Sequence, residues 1–277
     1  MTFPIGVFDS GLGGLSVARR ILARLPNERI VYFADSAHVP YGERPLEEIQ
    51  EFALTIVGFL IEKGAKAIVM ACNMSSAAAL ELSRREHPGL PIIGVIAPGA
   101  RAAVDASCGT PIGVLATTGT IKSEAYVRAV ARFDATIPVF GQACPKFVPL
   151  IESGRAESEE AEAAACTYIA PLLAEGCRTI VLGCTHYPFL RKQIEAVAGA
   201  GVTVVDPAEE TVRVLENTLV EQGMTSDGLE GPHEFYASGD TEGFATLGSA
   251  FLDRQIDAVQ HIEWEQVVCH QPTTKNR

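Results

Sequence analysis

The chain contains KAIVMACN at residues 66–73 and, 112 residues later, RTIVLGCT at 178–185. Each stretch is a short apolar run typical of a buried strand, and each ends in a cysteine followed by a polar residue. A second pair, IGVFDSG at 5–11 and IGVLATT at 112–118, repeats at an offset of 107 residues. Such a repeat is longer than solenoid units of roughly 20–50 residues and suits a whole lobe. The sequence therefore predicts two similar halves that face one another.

Short β-branched runs alternate with longer amphipathic segments along the chain. After PIGVF, apolar residues recur at helical spacing through residues 15–25, and RIVYF, a helical 45–63 and KAIVMA follow. Further predicted strands are PIIGVI at 91–96, PIGVLA at 111–116, IPVF at 137–140, RTIVLG at 178–183 and VTVVD at 202–206. This alternation is typical of parallel sheets covered by helices on both faces. We therefore predict an α/β fold with two pseudo-symmetric lobes, each a mostly parallel sheet flanked by helices, and an active site in the cleft between them.

The boundary between the lobes is less visible, because no Gly/Ser-rich or Pro-rich linker separates them. We assign residues 97–206 to the second lobe, and residues 1–96 together with 207–277 to the first. The acidic, alanine-rich segment 156–175 is predicted to be a helix with a solvated charged face. The polar tail at 269–277 is predicted to fray.

Composition and charge argue against several classes of protein. The 277 residues are 47% hydrophobic and 20% charged, which is enough for a large core in an ordinary globular chain. The net charge of −12 disfavours binding to nucleic acid or to an anionic membrane, where Lys and Arg must neutralise phosphate. The amino terminus shows no leader pattern and no run of about 20 apolar residues occurs, so we expect a cytoplasmic protein without a membrane span.

The seven cysteines do not indicate a disulfide framework or a zinc site. Their number is odd, no secretory signal precedes them and no CxxC pair is present. The default expectation for a cysteine is a small buried apolar residue. We apply it to the cysteines that have no repeat-equivalent partner, which are Cys108, Cys144, Cys166, Cys177 and Cys269.

Cys72 and Cys184 are different, because they occupy equivalent positions at the carboxyl ends of predicted strands. Ligands of such sheets bind outside these strand ends. A helix that begins there lowers the pKa of a thiol from about 8.5, since the positive end of its dipole favours the thiolate. Two opposed thiols can invert a carbon centre: one, as thiolate, removes a proton, and the other returns a proton to the opposite face.

Two polar residues are candidates for tuning the thiols. Asp9 ends the first predicted strand, and His186 follows Cys184 by two residues. Each has a structural alternative, Asp9 as a helix cap and His186 as a buried, hydrogen-bonded histidine. The glycines of SGLGG at 10–14 fit a dinucleotide-binding fingerprint poorly. We expect them instead to allow close approach of the backbone to a small anion.

Six motifs occur in order within residues 4–250: FDSGLGG at 8–14, DSAHVPYG at 35–42, ACN at 71–73, ATTGT at 116–120, LGCTHYP at 182–188 and DPAEET at 206–211. Together they resemble the motifs of the glutamate racemases, in the aspartate/glutamate racemase superfamily. The resemblance implies an isomerase that interconverts L- and D-glutamate without cofactor or metal, and supplies D-glutamate for peptidoglycan, cell wall biogenesis and cell shape. It is also compatible with a homodimer, for which the sequence identifies no interface.

The resemblance further implies roles for single residues. Cys72 would act on D-glutamate and Cys184 on L-glutamate, with Asp9 and His186 assisting them respectively. Substrate contacts would come from residues whose hydroxyls and amides can hold two carboxylates and an ammonium: Ser10, Tyr41, Gly42, Asn73, Thr117, Thr120 and Thr185.

The chain departs from the family at Met74, where threonine is usual. A thioether cannot donate a hydrogen bond to a carboxylate. Ser75 would restore the donor if the local backbone shifted, or Met74 would face away and leave only its amide in use; alternatively, the site prefers another substrate. The loss of one charge-assisted hydrogen bond costs on the order of 1.5–3 kcal/mol, which weakens glutamate use without abolishing it.

Three classes of function are open at this point. We favour a glutamate racemase, with a racemase of another acidic amino acid such as aspartate as its near relative. The superfamily also resembles cysteine-dependent decarboxylases and maleate-type isomerases, and the presence of two thiols argues against the one-thiol decarboxylases. A catalytically silent binding protein is the third, since some racemases of this family are thought to inhibit DNA gyrase; the sequence shows no gyrase-binding element.

Overall fold

The computed structural model of the chain describes residues 3–268, and its strands in this range form two sheets. The six-stranded sheet contains β1 (Ile5–Asp9), β2 (Ile30–Ala34), β3 (Ala67–Met70), β4 (Ile92–Gly94), β9 (Glu234–Ala237) and β10 (Gln260–His261). The four-stranded sheet contains β5 (Ile112–Ala116), β6 (Val139–Ala143), β7 (Thr179–Gly183) and β8 (Thr203–Val205). We call the larger sheet with its helices the first half of the molecule, and the smaller sheet with its helices the second half.

The two sheets share one strand order. The larger sheet runs β10-β9-β2-β1-β3-β4 and the smaller runs β6-β5-β7-β8, with all pairs parallel. Ile5 of β1 lies opposite Ile30 and Ala67 of its two neighbours, just as Ile112 of β5 lies opposite Val139 and Thr179. The sequence repeat therefore corresponds to one four-strand arrangement built twice, and the predicted α/β fold with two parallel sheets is confirmed.

Two strands of the first half come from late in the chain. β9 pairs with β2, and β10 pairs with β9. The sequence pattern does not predict either strand, since β9 is four residues long and begins with a glutamate, and β10 has two residues. The chain thus returns to the first sheet after it has completed the second. The lobe boundaries at 96/97 and 206/207 stay predictions.

Helices cover the faces of both sheets. They are α1 (Leu15–Arg24), α2 (Leu46–Glu62), α3 (Asn73–Glu86), α4 (Ile96–Ser107), α5 (Thr118–Lys122), α6 (Ala125–Ala131), α7 (Phe147–Glu152), α8 (Glu159–Ala174), α9 (Arg191–Ala198), α10 (Pro207–Glu221), α11 (Thr241–Leu252) and α12 (Trp264–Val268), with short 3₁₀ turns at Tyr41–Glu43 and Tyr187–Leu190. None of the helices described is both long enough and apolar enough to cross a membrane.

The helices predicted at 45–63 and 156–175 are present as α2 and α8. The hydroxyl of Ser158 caps α8 by accepting a hydrogen bond from the Ala161 N–H at 3.2 Å. Exposed Glu159 and Glu160 follow in the first turn, where a negative charge stabilises the helix dipole. The acidic run is thus a solvated helix face, as predicted, and the predicted frayed tail at 269–277 lies outside the described residues.

Helices α4 and α10 connect the halves, because α4 leads from β4 to β5 and α10 leads away from β8. Asp206, the first residue of the DPAEET motif, caps α10 by accepting from the Ala208 N–H at 3.0 Å. Its other oxygen pairs with Arg20 of α1 at 2.7 Å. The motif therefore ties the end of the second sheet to the first helix of the first half.

Two buried helical glycines have opposite surroundings, which gives a test of the packing. A Cβ on Gly58 of α2 would meet no heavy atom of the described residues within 4 Å, whereas a Cβ on Gly99 of α4 would lie 2.8 Å from Pro207. Alanine is favoured over glycine inside a helix by about 0.5–1 kcal/mol. We expect Gly58→Ala to raise the free energy of unfolding by about this amount in urea denaturation, and Gly99→Ala to lower it. A loss of stability in Gly58→Ala would show that the space beside α2 is not open.

Candidate active site

A cleft of about 360 Å³ lies at the carboxyl ends of the strands, between the two halves. Most of the predicted site residues line it: Cys72, Cys184, His186, Ser10, Tyr41, Gly42, Asn73, Thr117, Thr120 and Thr185. The other two, Asp9 and Ser75, are buried and are not among the lining residues. The fold thus brings together residues that are far apart in the chain, such as Asp9 and Thr185, which are separated by 176 positions.

Cys72 is placed between the end of β3 and the first turn of α3. Its backbone is extended, and its carbonyl accepts from the Ser76 N–H at 2.9 Å. Its thiol donates to the Ser10 hydroxyl over 3.9 Å. Burial, and then the negative charge of Asp9, raise the pKa of the Cys72 thiol to about 12, while hydrogen bonds from Ser75 and Ser10 act in the opposite direction. Burial therefore outweighs the lowering of the thiol pKa that the helix dipole predicts, and Cys72 carries its proton at neutral pH.

Ser75 lies behind Cys72 rather than at the wall of the cleft. Its hydroxyl is buried and has no hydrogen-bond partner at ordinary distance among the described residues. An unpaired buried hydroxyl costs about 1–3 kcal/mol. The hydroxyl and the N–H of Ser75 both lower the pKa of Cys72, so they are donors oriented toward the thiolate form of that cysteine. Ser75 is thus separated from the other predicted substrate contacts.

Met74 lines the cleft, contrary to the alternative in which it faces away. Its sulfur lies close to Gly119 of α5, where an added Cβ would be 3.0 Å from Sδ and 2.6 Å from the Gly42 carbonyl oxygen. The segments that carry Met74 and Gly42 of the first half therefore meet Gly119 of the second half at this point of the wall. An apolar side chain occupies a place in the wall where the family usually has a hydroxyl.

Cys184 follows β7 in a turn that is closed by the Tyr187 N–H, which donates to the Cys184 carbonyl at 3.1 Å. His186 lies in this turn, with Nδ1 3.9 Å from the Cys184 sulfur and Nε2 3.0 Å from Glu152 Oε1. Burial alone would lower the pKa of His186, but its hydrogen bonds with Cys184 and Glu152 and the charges of Cys184 and Asp9 raise it to about 10. At neutral pH, therefore, His186 is protonated beside Cys184 and carries a positive charge.

Glu152 is the main polar residue that the sequence does not indicate. It ends α7 and lies 34 residues before His186 in the chain, so no local motif links the two. The cleft is also lined by Thr118, Glu43, Cys144 and an apolar wall of Val39, Pro40, Pro145, Val148 and Pro149. Glu152, Cys144, Pro145, Val148 and Pro149 belong to the segment that follows β6, and β6 pairs with β5 rather than with β7. Only the fold brings this segment beside the turn after β7.

The cysteines without a repeat-equivalent partner differ from one another. Cys177 is fully buried, as expected for a packing residue. Cys144 is buried at the wall of the cleft, and burial raises the pKa of its thiol well above the ordinary range. Cys108 and Cys166 are exposed, so the expectation of burial is wrong for them, and Cys269 lies outside the described residues. Among residues 3–268, no three His, Cys, Asp or Glu side chains are grouped as a metal site.

Asp9 connects the loop after β1 with the turn after β7. One carboxylate oxygen accepts from the Gly11 N–H at 3.0 Å, and the other accepts from the Thr185 hydroxyl at 3.3 Å. The Gly11 bond closes a turn in the loop and does not cap α1, whose N-cap is Gly14 without a side-chain cap bond. The charge of Asp9 acts on Cys72, and its assisting role stays a prediction. Burial raises the pKa of Asp9, against the positive charge of His186 and the hydrogen bonds it accepts.

Gly13 allows the two halves to come together. A Cβ at this position would overlap the Thr185 hydroxyl oxygen and His186 Nδ1. The close approach at Gly13 is thus to side chains of the second half, and that at Gly14 is to Asp9 and Tyr32 of the first half. The approach of this loop to a small anion stays a prediction.

Hydrogen bonds to Asp35 fix the turn that carries Tyr41 and Gly42. The buried Asp35 carboxylate accepts from the Tyr41 hydroxyl and from the Ser238 hydroxyl at 2.7 Å, and His38 Nδ1 lies 2.7 Å from it. The late strand β9 leads into Ser238, so the returning chain supports this side of the cleft.

Comparison with known proteins identifies the family. The model of the Asp/Glu/hydantoin racemase family matches residues 5–215. A glutamate racemase from Desulforudis audaxviator is 43% identical over 265 residues, which are 93% of this chain and 97% of that protein. The chain belongs to the Asp/Glu/hydantoin racemase family. The family resemblance drawn from the six motifs is thereby confirmed, and with it the enzyme class, an isomerase.

Solved structures of racemases share the fold. The structure of a glutamate racemase isoform from Bacillus anthracis superimposes with a TM-score of 0.90 at 38% identity, over 95% of this chain and 98% of that one. The structure of glutamate racemase from Francisella tularensis in complex with D-glutamate gives a TM-score of 0.89 at 32% identity, over 96% and 99% of the two chains. The two-sheet arrangement of this racemase is therefore that of its family.

The charge of Asp9 gives a test of the thiol environment. Because this negative charge raises the pKa of Cys72, the neutral Asp9→Asn variant should have a lower thiol pKa. The thiolate is the form that reacts with iodoacetamide. We therefore expect the pH midpoint of Cys72 alkylation, followed by mass spectrometry, to move to lower pH in Asp9→Asn. The exposed Asp105→Asn is the matched control, and an unchanged or higher midpoint in Asp9→Asn would contradict the assignment.

Proposed function

We propose that the chain is a glutamate racemase, which interconverts L- and D-glutamate by proton transfer between two thiols. The observation that supports this most strongly is the pair of cysteines at equivalent strand ends of two like sheets, both lining one cleft. The complex of the Francisella tularensis enzyme with D-glutamate supports the choice of substrate.

In the proposed mechanism, one cysteine acts as thiolate and the other as thiol in each turnover. The thiolate takes the α-proton, so the Cα–H bond breaks and a carbanion forms. The thiol on the opposite face gives its proton to the same carbon, and a new Cα–H bond forms with inverted configuration. Cys184 is proposed to deprotonate L-glutamate and Cys72 to deprotonate D-glutamate. After each turnover, the sulfur that began as thiolate carries a proton and the sulfur that began as thiol is the thiolate.

The raised pKa of Cys72 and the charge of His186 suit the L-to-D direction. With its pKa raised to about 12, Cys72 holds the proton that the carbanion needs. The protonated His186 lies 3.9 Å from the Cys184 sulfur, where opposite charges stabilise one another. Glu152 accepts the second ring N–H and keeps the imidazole oriented toward the sulfur.

The D-to-L direction requires Cys72 to lose its proton, and a bound substrate assists this. The charge of Asp9 is the second largest cause that raises the pKa of Cys72. An amino acid brings an ammonium group, and we propose that Ser10 receives it at the cleft wall, in front of the buried Asp9 carboxylate. The positive charge then offsets that of Asp9 and favours the Cys72 thiolate. The Ser75 hydroxyl and N–H stabilise the same thiolate from behind.

The two carboxylates of glutamate are proposed to bind to neutral donors. The first N–H groups of α3 have no acceptor within the helix, and the positive end of the helix dipole favours an anion there. The Asn73 amide and the Thr185 hydroxyl line the cleft nearby, and the hydroxyls of Thr117 and Thr120 lie 3.1 Å apart in the wall formed by the second half. These groups supply donors without a metal or a cofactor.

The proposed function is tested by incubating the purified protein with L-glutamate in D₂O, with L-aspartate in parallel. The α-proton signal is followed by NMR and the optical rotation is recorded on the same sample. For glutamate, we expect the α-proton signal and the optical rotation to be lost together. Loss of both for aspartate alone would replace the substrate and keep the mechanism, whereas no change with either amino acid in a folded sample would overturn the racemase function.

Both cysteines should be required for inversion. We expect Cys72→Ser and Cys184→Ser each to abolish racemisation and to retain at most exchange of one enantiomer's α-proton, because one base remains on one face. The matched control is Cys166→Ser, an exposed cysteine away from the cleft. Circular dichroism checks that the variants are folded. Full racemisation by either single variant would rule out the two-thiol mechanism.

We expect the natural protein to bind glutamate more weakly than a variant with threonine at position 74, because the Met74 thioether at the cleft wall cannot donate a hydrogen bond. We expect Met74→Thr to raise kcat/KM for glutamate by about tenfold, the lower end of the effect of one hydrogen bond to a charged group. Met74→Leu supplies no donor and should show no such gain. A fall in kcat/KM for Met74→Thr would indicate that the thioether is needed to fill the contact with Gly119 and Gly42.

We further propose that the D-glutamate formed is used for peptidoglycan, and thus for the cell wall and cell shape. The full-length similarity to curated glutamate racemases supports this role. The homodimer and the cytoplasmic location stay predictions.

A further inference from the structure

A hydrogen bond joins the two halves directly beside Cys72. The Tyr126 hydroxyl donates to the side-chain oxygen of Asn73 at 2.9 Å. Asn73 is the first residue of α3, immediately after Cys72, whereas Tyr126 belongs to α6, which follows the first strand of the second sheet. Asn73 lines the cleft and Tyr126 does not. The bond therefore reaches a wall residue from outside the cleft.

We propose that Tyr126 is a positioning residue, which orients the Asn73 amide toward a carboxylate of the substrate. A carboxamide has an acceptor oxygen on one side and two N–H donors on the other. Because Tyr126 holds the oxygen, the N–H donors are free to point into the cleft. This inference rests on the proposed function, since it assumes that the bound ligand carries a carboxylate.

Without the Tyr126 hydroxyl, the hydrogen bond that fixes the orientation of the Asn73 amide is absent. Rotation by half a turn would exchange the oxygen and nitrogen and direct a lone pair at the carboxylate. Two negative oxygens facing each other repel, whereas an N–H facing a carboxylate forms a charge-assisted hydrogen bond. Tyr126 thus contributes to substrate affinity through Asn73, without touching the substrate.

The surroundings of Tyr126 suit a fixed donor. The side chain is only 3% exposed, and a Cβ on Gly99 of α4 would lie 3.4 Å from its hydroxyl oxygen. Burial, and then the charges of Asp206 and Cys184, raise the pKa of Tyr126 well above the ordinary value. The phenol therefore keeps its proton and stays a donor to the Asn73 oxygen.

The test compares Tyr126→Phe with the natural protein in steady-state racemisation of both enantiomers. Phenylalanine keeps the ring and its packing and removes only the hydroxyl. We expect KM for L- and D-glutamate to rise about tenfold, with a much smaller change in kcat, since the lost interaction orients a substrate-binding donor. Tyr168→Phe is the matched control, because it removes a hydroxyl from the second half that accepts from the Lys146 N–H; its KM should not change.

A double-mutant cycle separates positioning from a purely structural role. If Tyr126 acts through Asn73, the double variant Tyr126→Phe/Asn73→Ala should have the same KM as Asn73→Ala alone. Additive effects on KM would overturn the proposal. So would an unchanged KM in Tyr126→Phe together with a lower melting temperature, which is the result expected of a hydrogen bond that only stabilises the fold.

The variant Asn73→Asp tests the orientation without altering Tyr126. The aspartate keeps an acceptor for the Tyr126 hydroxyl but presents an oxygen to the cleft in place of the N–H donors. We expect KM to rise at least as much as in Tyr126→Phe, and an unchanged KM would overturn the proposal. Failure of the natural protein to racemise glutamate would overturn the proposed function as well, whereas racemisation with normal KM in Tyr126→Phe would overturn only the positioning role.

Discussion

The contact of Gly13 with Thr185 and His186 is the constraint on which the cleft depends. A side chain at position 13 would collide with both residues, so the loop after β1 can lie against the turn after β7 only because it has none. Two hydrogen bonds hold the contact, from Thr185 to the Asp9 carboxylate and from the Ser16 hydroxyl to the Thr185 carbonyl at 3.0 Å. The position of Cys184 relative to the first half follows from this junction.

The duplicated strand order does not give the two thiols the same surroundings. The offset of 112 residues that relates Cys72 to Cys184 also relates Met74 to His186. One half thus places a thioether where the other places a protonated imidazole, and the charge of the buried Asp9 carboxylate raises the pKa of Cys72. The repeated fold fixes where the sulfurs lie, whereas residues that differ between the repeats set the charges around each of them.

The sequence predicts the strands of the repeated core well, because parallel strands buried on both faces appear as continuous apolar runs. β10 is too short for any such pattern, and β9 is stabilised by pairing with β2, which no local signal shows. At the site, the repeat identifies the two cysteines, but Glu152 meets His186 only through the fold. Burial is also a property of the whole fold, and for this reason the pKa of Cys72 and the inward position of Ser75 differ from expectation.

The unequal surroundings of the two thiols have a thermodynamic consequence if both act on one substrate carbon. L- and D-glutamate have the same free energy in water, so the equilibrium constant for their interconversion is unity whatever protein catalyses it. The ratio kcat/KM must then be identical for the two enantiomers. Any effect of Asp9, His186 or Glu152 on kcat/KM for one enantiomer must therefore be matched by the same factor for the other. The asymmetry of the cleft cannot favour one enantiomer as product; it can only divide the same kcat/KM differently between kcat and KM for the two enantiomers.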